Sequence, residues 1–104
     1  MLEKDIEKYL TSEVKRLGGI AYKFVSPGND GVPDRMVLLP GGRITFIELK
    51  TETGRPTKIQ ERQIERMRAL GQDVRIVYGM EQVKEFLREA RDAVYTAQVS
   101  AVQH

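Results

Sequence analysis

Two carboxylates and a lysine, Asp34, Glu48 and Lys50, are the residues of this sequence best suited by type and spacing to chemistry. Glu48 and Lys50 lie two apart in an apolar, β-branched run. On a strand they project from one face, separated by about 7 Å of backbone rise. Asp34 follows a segment dense in loop formers, Ser26 to Pro33, and opens a second apolar run. Between the runs, Pro40-Gly41-Gly42 reads as a tight hairpin turn. With the turn centred near Gly41, Asp34 stands seven residues before it and Glu48 seven after, so a hairpin sets the two carboxylates side by side. Two hard oxygen donors suit a divalent ion such as Mg²⁺. Such an ion polarises a phosphoryl group and lowers the pKa of water, and a neighbouring ammonium steadies developing negative charge. Two carboxylates and one ammonium on a rigid hairpin would meet the needs of metal-assisted phosphodiester hydrolysis. A Glu and a Lys two apart on a strand often form nothing more than its solvated face. Here Ile44 and Phe46 share their face, and Ile47 and Leu49 occupy the other. Charges at the end of a strand that is apolar on both faces imply that the sheet opens there, as α/β sheets do at their binding sites.

The elements that must position these groups follow from periodicity. Leu2, Ile6, Tyr9, Leu10, Val14 and Leu17 recur at three- and four-residue spacing, a helix that Gly18-Gly19 ends. Ile20 to Val25 reads as a strand. Pro33 cannot donate to a ladder, so the next strand begins near Asp34 and continues through Met36 to Leu39. Arg43 to Lys50 is the returning strand. After a loop from Thr51 to Pro56, a helix spans about Lys58 to Leu70, with Gly71 as its stop. Val74 to Tyr78 has the apolar character of a buried strand, and Val83, Phe86, Leu87 and Ala90 mark a final helix. The helical crossover into the fourth strand favours a parallel, right-handed connection. The expected architecture is α/β, with order αβββαβ(α) and a mixed sheet flanked by helices. Residues 1–90 form the domain, and 91–104 are read as a C-terminal extension, frayed or contacting a second subunit.

Composition narrows the chemistry further. The 104 residues fit one domain, and a core of this size makes dimerisation reasonable. There is no cysteine, which excludes disulfides, thiolate metal sites and cysteine nucleophiles. The single histidine is the last residue, His104, so histidine-based triads and metal sites are disfavoured. No apolar run approaches a membrane span, and the charged start lacks a signal-peptide core, so a cytoplasmic location with no membrane partner is expected. The net charge of +2 permits nucleic-acid binding without requiring it. Lys23, Ser26 and Arg35 cluster in sequence about the proposed site and could contact phosphates. Lys58, Arg62 and Arg66 form a helical stripe, with Arg55 just upstream, that could track a phosphate backbone. Glu61 and Glu65 lie beside the stripe, and a solvated, salt-bridged face is its more common explanation. Tyr22, Phe24, Phe46 and Phe86 are expected in or at the edge of the core.

Gly31-Val32-Pro33-Asp34 followed by Glu48-Leu49-Lys50 resembles the PD-(D/E)xK nuclease signature. With Glu3 on the first helix, Lys23 to Gly28, Phe46 to Lys50 and Gln60 opening the later helix, the pattern is similar to the VRR-NUC family, especially its minimal stand-alone members from phages and bacteria. The resemblance covers roughly residues 1–90. It implies a restriction-endonuclease-like αβββαβ core and DNA cleavage dependent on Mg²⁺ or Mn²⁺, with no nucleotide cofactor. Asp34 and Glu48 would be metal ligands, with the backbone carbonyl of Leu49, and Lys50 the catalytic lysine. Glu3 matches the acidic position of the first helix, with Glu7 one turn on as its competitor. Gln60 matches the family glutamine near the lysine, although Thr57 to Gln60 is also a capping-box pattern. Relatives of this minimal type imply a homodimer acting on branched DNA such as four-way junctions, in a bacterial or phage-infected cell. Two other readings stay open: a nucleic-acid-binding module of the same fold that has lost catalysis, and a structural or interaction protein.

Overall fold

The structure, a computed structural model, describes residues 2–103. Its elements follow the order α1 (Glu3–Arg16), β1 (Ile20–Lys23), β2 (Arg35–Leu39), β3 (Arg43–Lys50), α2 (Lys58–Ala69), β4 (Val74–Tyr78) and α3 (Gly79–Gln103). The four strands form one sheet in sequential order. The first two pairings are antiparallel, and β3 and β4 run parallel. This is the αβββαβα order and mixed sheet that the periodicity predicts.

Alternation along the strands assigns the layers. Val37, Leu39, Ile47, Leu49 and Val77 face α1 and α3, and join Ile6, Leu10, Val14, Val83, Phe86, Leu87, Ala90 and Val94 in the principal core. Each such side chain removed from water contributes about 1.5–3 kcal/mol. Helix α2 lies across the opposite face, where Ile64 is buried with Val74. The first turn of α1 is acidic and its last turn basic, which complements the helix dipole. Gly18, at φ +86°, reverses the chain into β1.

Two expectations change. The last helix does not stop at residue 90: α3 is continuous for 25 residues and keeps Val94 in the core. A side chain at Gly41, at the hairpin tip, would meet Ala97 at 2.7 Å, so residues beyond 90 pack on the domain. Tyr22 is 52% exposed, not a core residue, because α2 leaves the β1 side of its face uncovered. His104 lies outside the described residues. None of the described helices is long and apolar enough to cross a membrane.

At the start of β3, far from Lys50, ion pairs clasp the sheet to α3. Arg43 and Arg75 both bind Glu89 and Asp73, and the buried Thr45 hydroxyl donates to Asp73 at 2.8 Å. Hydrogen bonds from Arg75 and Arg43 bring the Glu89 carboxyl down to about 2.

Candidate active site

The β2–β3 register pairs Arg35 with Ile47 and Leu39 with Arg43. Continued by one residue, it sets Asp34 opposite Glu48 on the face that α2 covers. The geometry agrees. Asp34 Oδ2 accepts the Leu49 N–H at 3.2 Å, while the Asp34 carbonyl accepts the Phe24 N–H at 2.8 Å and so stays tied to β1. Pro33 is fully buried behind it.

Glu48 is the centre of the arrangement and only 2% exposed. Its Oε2 accepts from Lys50 Nζ at 3.2 Å and from Gln60 Nε2 at 3.1 Å. Its Oε1 is buried without a partner. Burial, with the charge of Asp34 beside it, pushes the Glu48 carboxyl up to about 7, against the opposing pull of Lys50. A buried carboxylate facing a second carboxylate is costly unless a cation joins them. Two carboxylates, Asp34 and Glu48, with the Leu49 carbonyl on the strand of Glu48, make a donor set of the kind that suits a hard divalent ion.

Gln60 caps α2 and also reaches the Glu48 carboxylate. Its Oε1 accepts the Thr57 N–H at 2.9 Å, and its N–H donates to the Thr57 hydroxyl at 3.2 Å, completing the capping box of α2. The other end of the same amide holds Glu48. The loop before Asp34 is locked to this helix start. A side chain at Gly31 would come within 2.6 Å of the Ile59 side chain and 2.9 Å of its backbone, and its φ of +88° favours glycine. Gln63 Nε2 also donates to the Asp30 carbonyl at 3.2 Å.

Glu3 is not gathered into this centre. It lies exposed in the first turn of α1, and among the described residues no three His, Cys, Asp or Glu side chains converge as a metal cluster. Its competitor Glu7 is bound to Arg35. That contact also corrects the reading of Arg35 as a phosphate contact beside the site. Arg35 follows Asp34 directly, so it projects to the other face, where it also donates to the Ala21 carbonyl at 3.3 Å. Lys23 pairs with Arg35 across β1 and β2, on that same far face, and is exposed. Ser26 sits in a turn in which its carbonyl accepts the Asn29 N–H and its hydroxyl the Asn29 amide.

Lys58, Arg62 and Arg66 are exposed on α2. Among the described residues none of them pairs with a carboxylate within 4.0 Å, Glu61 and Glu65 included. The contact that sequence reasoning missed is between Arg55 and Tyr78, 5.5 Å from guanidinium carbon to ring centroid. Nothing local signals it, since the pair is joined only through the β3–β4 pairing.

No family model matches the sequence. A phage protein, "Putative nuclease p44" of Acyrthosiphon pisum secondary endosymbiont phage 1, is 57% identical over 72 residues, 69% of this chain and 77% of that protein. A solved structure described as a VRR_NUC domain matches with a TM-score of 0.78 and 36% identity, over 83% of this chain and 94% of its own. A second, a VRR_NUC domain protein, has a TM-score of 0.65 over 86% and 88% of the two chains and, at 19% identity, shares the fold. On the sequence identity and the shared fold, this chain belongs to the VRR-NUC family of nucleases.

Proposed function

We propose that the protein is a metal-dependent endodeoxyribonuclease that hydrolyses DNA phosphodiester bonds with Mg²⁺ or Mn²⁺. In this reading it acts in the cytoplasm as a homodimer on branched DNA such as four-way junctions. One observation carries the chemistry: Glu48 is buried beside Asp34 with an oxygen that no protein donor reaches. An unsatisfied buried group of this kind costs about 1–3 kcal/mol or more, and a bound cation offsets that cost. Asp34, Glu48 and the Leu49 carbonyl would hold the ion. When bound, it supplies electrophilic pull on the phosphoryl oxygens and makes water more acidic.

The remaining work belongs to the chain's own residues. Lys50, tethered to Glu48 and three-quarters or more buried, keeps an ammonium beside the reacting phosphate. There it would orient the attacking water and offset the negative charge that builds on the phosphoryl oxygens. Gln60 fixes the Glu48 carboxylate from the α2 side. Arg55, Lys58 and Arg62, on the α2 side, would draw the strand in, with Ser26 as a more distant phosphate contact. A two-fold dimer would present two such centres to two strands, which supports the choice of a four-way substrate.

The inactive binding module is the weaker reading, because binding alone needs no buried carboxylate held against another. A cleavage panel of duplex, single-stranded, flap and four-way DNA, with Mg²⁺ or Mn²⁺, separates the two. Lys50→Ala should slow cleavage by about 10²–10³-fold while DNA binding persists. Undiminished cleavage in that variant would remove Lys50 from the mechanism, and binding without cleavage by the wild-type chain would favour the module.

A further inference from the structure

Arg55 carries a charge that the hydrolytic residues do not account for. It is exposed in the loop between β3 and α2, yet its guanidinium lies over the ring of Tyr78. Its Nη1 donates to the Gly54 carbonyl at 2.6 Å. Among the described residues no carboxylate pairs with it within 4.0 Å. Its charge is thus anchored by an aromatic face and left unneutralised.

The position of Tyr78 gives that anchor its meaning. It ends β4 and is the register partner of Lys50. Adjacent strands lie about 4.8 Å apart, and paired residues share a face of the sheet. The ring therefore stands next to the lysine, on the side where Glu48 and Asp34 meet. An arginine stacked on an aromatic face keeps its planar fork of donors in a restricted set of orientations, and that fork matches phosphate oxygens two at a time.

We propose that Tyr78 is a positioning residue, whose ring holds Arg55 beside Lys50 as a clamp for a DNA phosphate flanking the bond to be cut. The proposal rests on the nuclease reading above and deepens it. It makes the π-face of Tyr78 the working part, so its hydroxyl is dispensable. It also makes Arg55 an electrostatic contact whose contribution fades with salt.

The test measures binding of the full chain to fluorescein-labelled duplex and four-way DNA by anisotropy, in EDTA so that strands stay intact, over a series of KCl concentrations. Arg55→Ala should weaken binding about tenfold and lower the slope of log affinity against log salt by about 1. Tyr78→Leu should weaken binding about threefold, and Tyr78→Phe should behave as wild type. The double variant Arg55→Ala/Tyr78→Leu should bind no worse than Arg55→Ala alone, because the two act as one unit. An unchanged salt slope in Arg55→Ala, a Tyr78→Phe as weak as Tyr78→Leu, or fully additive losses would overturn the clamp. Arg55 is an exposed loop residue, so its variant tests the idea without endangering the fold. Failure of the wild-type chain to bind DNA overturns this proposal and the nuclease reading together; wild-type binding and cleavage with a silent Arg55→Ala overturns the clamp alone.

Discussion

Replacing Glu48 with glutamine should make the metal-free protein more stable at neutral pH while abolishing what the site is for. Burial and Asp34 raise the Glu48 carboxyl from 4.5 to about 7. Below pH 4.5 the group is protonated in both the folded and the unfolded chain, and its burial carries no ionic penalty. As the pH rises, the unfolded chain releases its proton first, near 4.5, while the folded chain holds on until about 7. Stability is therefore lost across that window and does not recover above it. At about 1.4 kcal/mol for each pH unit, the displacement amounts to about 3 kcal/mol. Glu48→Gln keeps a polar amide of the same size and never ionises, so its stability should not fall with this group. The assay is urea unfolding in EDTA at intervals from pH 4.5 to 8, for wild type and variant side by side. Subtracting the curves cancels the carboxylates remote from Glu48 and leaves a difference that grows by about 3 kcal/mol. Adding Mn²⁺ at pH 8 should then raise the wild type, by about 2.7 kcal/mol at a hundredfold excess over Kd, and leave Glu48→Gln nearly unmoved. Parallel curves for the two proteins from pH 4.5 to 8 would refute the argument that Glu48 is held against its own charge.

The two ends of Gln60 can be separated. Gln60→Glu preserves the capping box but removes the donor to Glu48, so it should hold thermal stability near wild type at acid pH while activity collapses; Gln60→Ala should lose activity and about 1 kcal/mol as well, both read by melting and by initial rates. Gly31→Ala should cost about 1–3 kcal/mol through its positive φ alone, and more through contact with Ile59. It should also depress cleavage at temperatures where the protein is fully folded, because the same push displaces Asp34 and Gln60; wild-type rates in folded Gly31→Ala would break that link.

Much of the site could be read from local pattern because a hairpin is a local object. The turn at Pro40-Gly41-Gly42 and the period of two bring Asp34 and Glu48 level without reference to anything else, and the observed register has its centre at Gly41. The same alternation held the signal that Arg35, one residue beyond Asp34, must leave by the opposite face. What sequence spacing does not encode is which side chain from a distant element arrives there. Glu7 claims Arg35 through the packing of α1 on the sheet, and that packing leaves Glu3 outside the carboxylate pair. Tyr78 reaches Arg55 only because β4 pairs with β3. The length of α3 is legible in part, since Ala90, Val94 and Ala97 continue the three- and four-residue spacing; their small side chains make a weak apolar stripe, and it is the approach of the hairpin tip to Ala97 that uses it.

The amide of Gln60 bridges two events usually treated as separate, the winding of a helix and the ionic state of a carboxylate. Whatever tightens or releases Glu48 must pull on the first turn of α2, and unwinding of that turn must loosen Glu48 in return. A change in the ionic state of Glu48 would thus be felt at the start of the helix that carries the cationic stripe, through a single side chain.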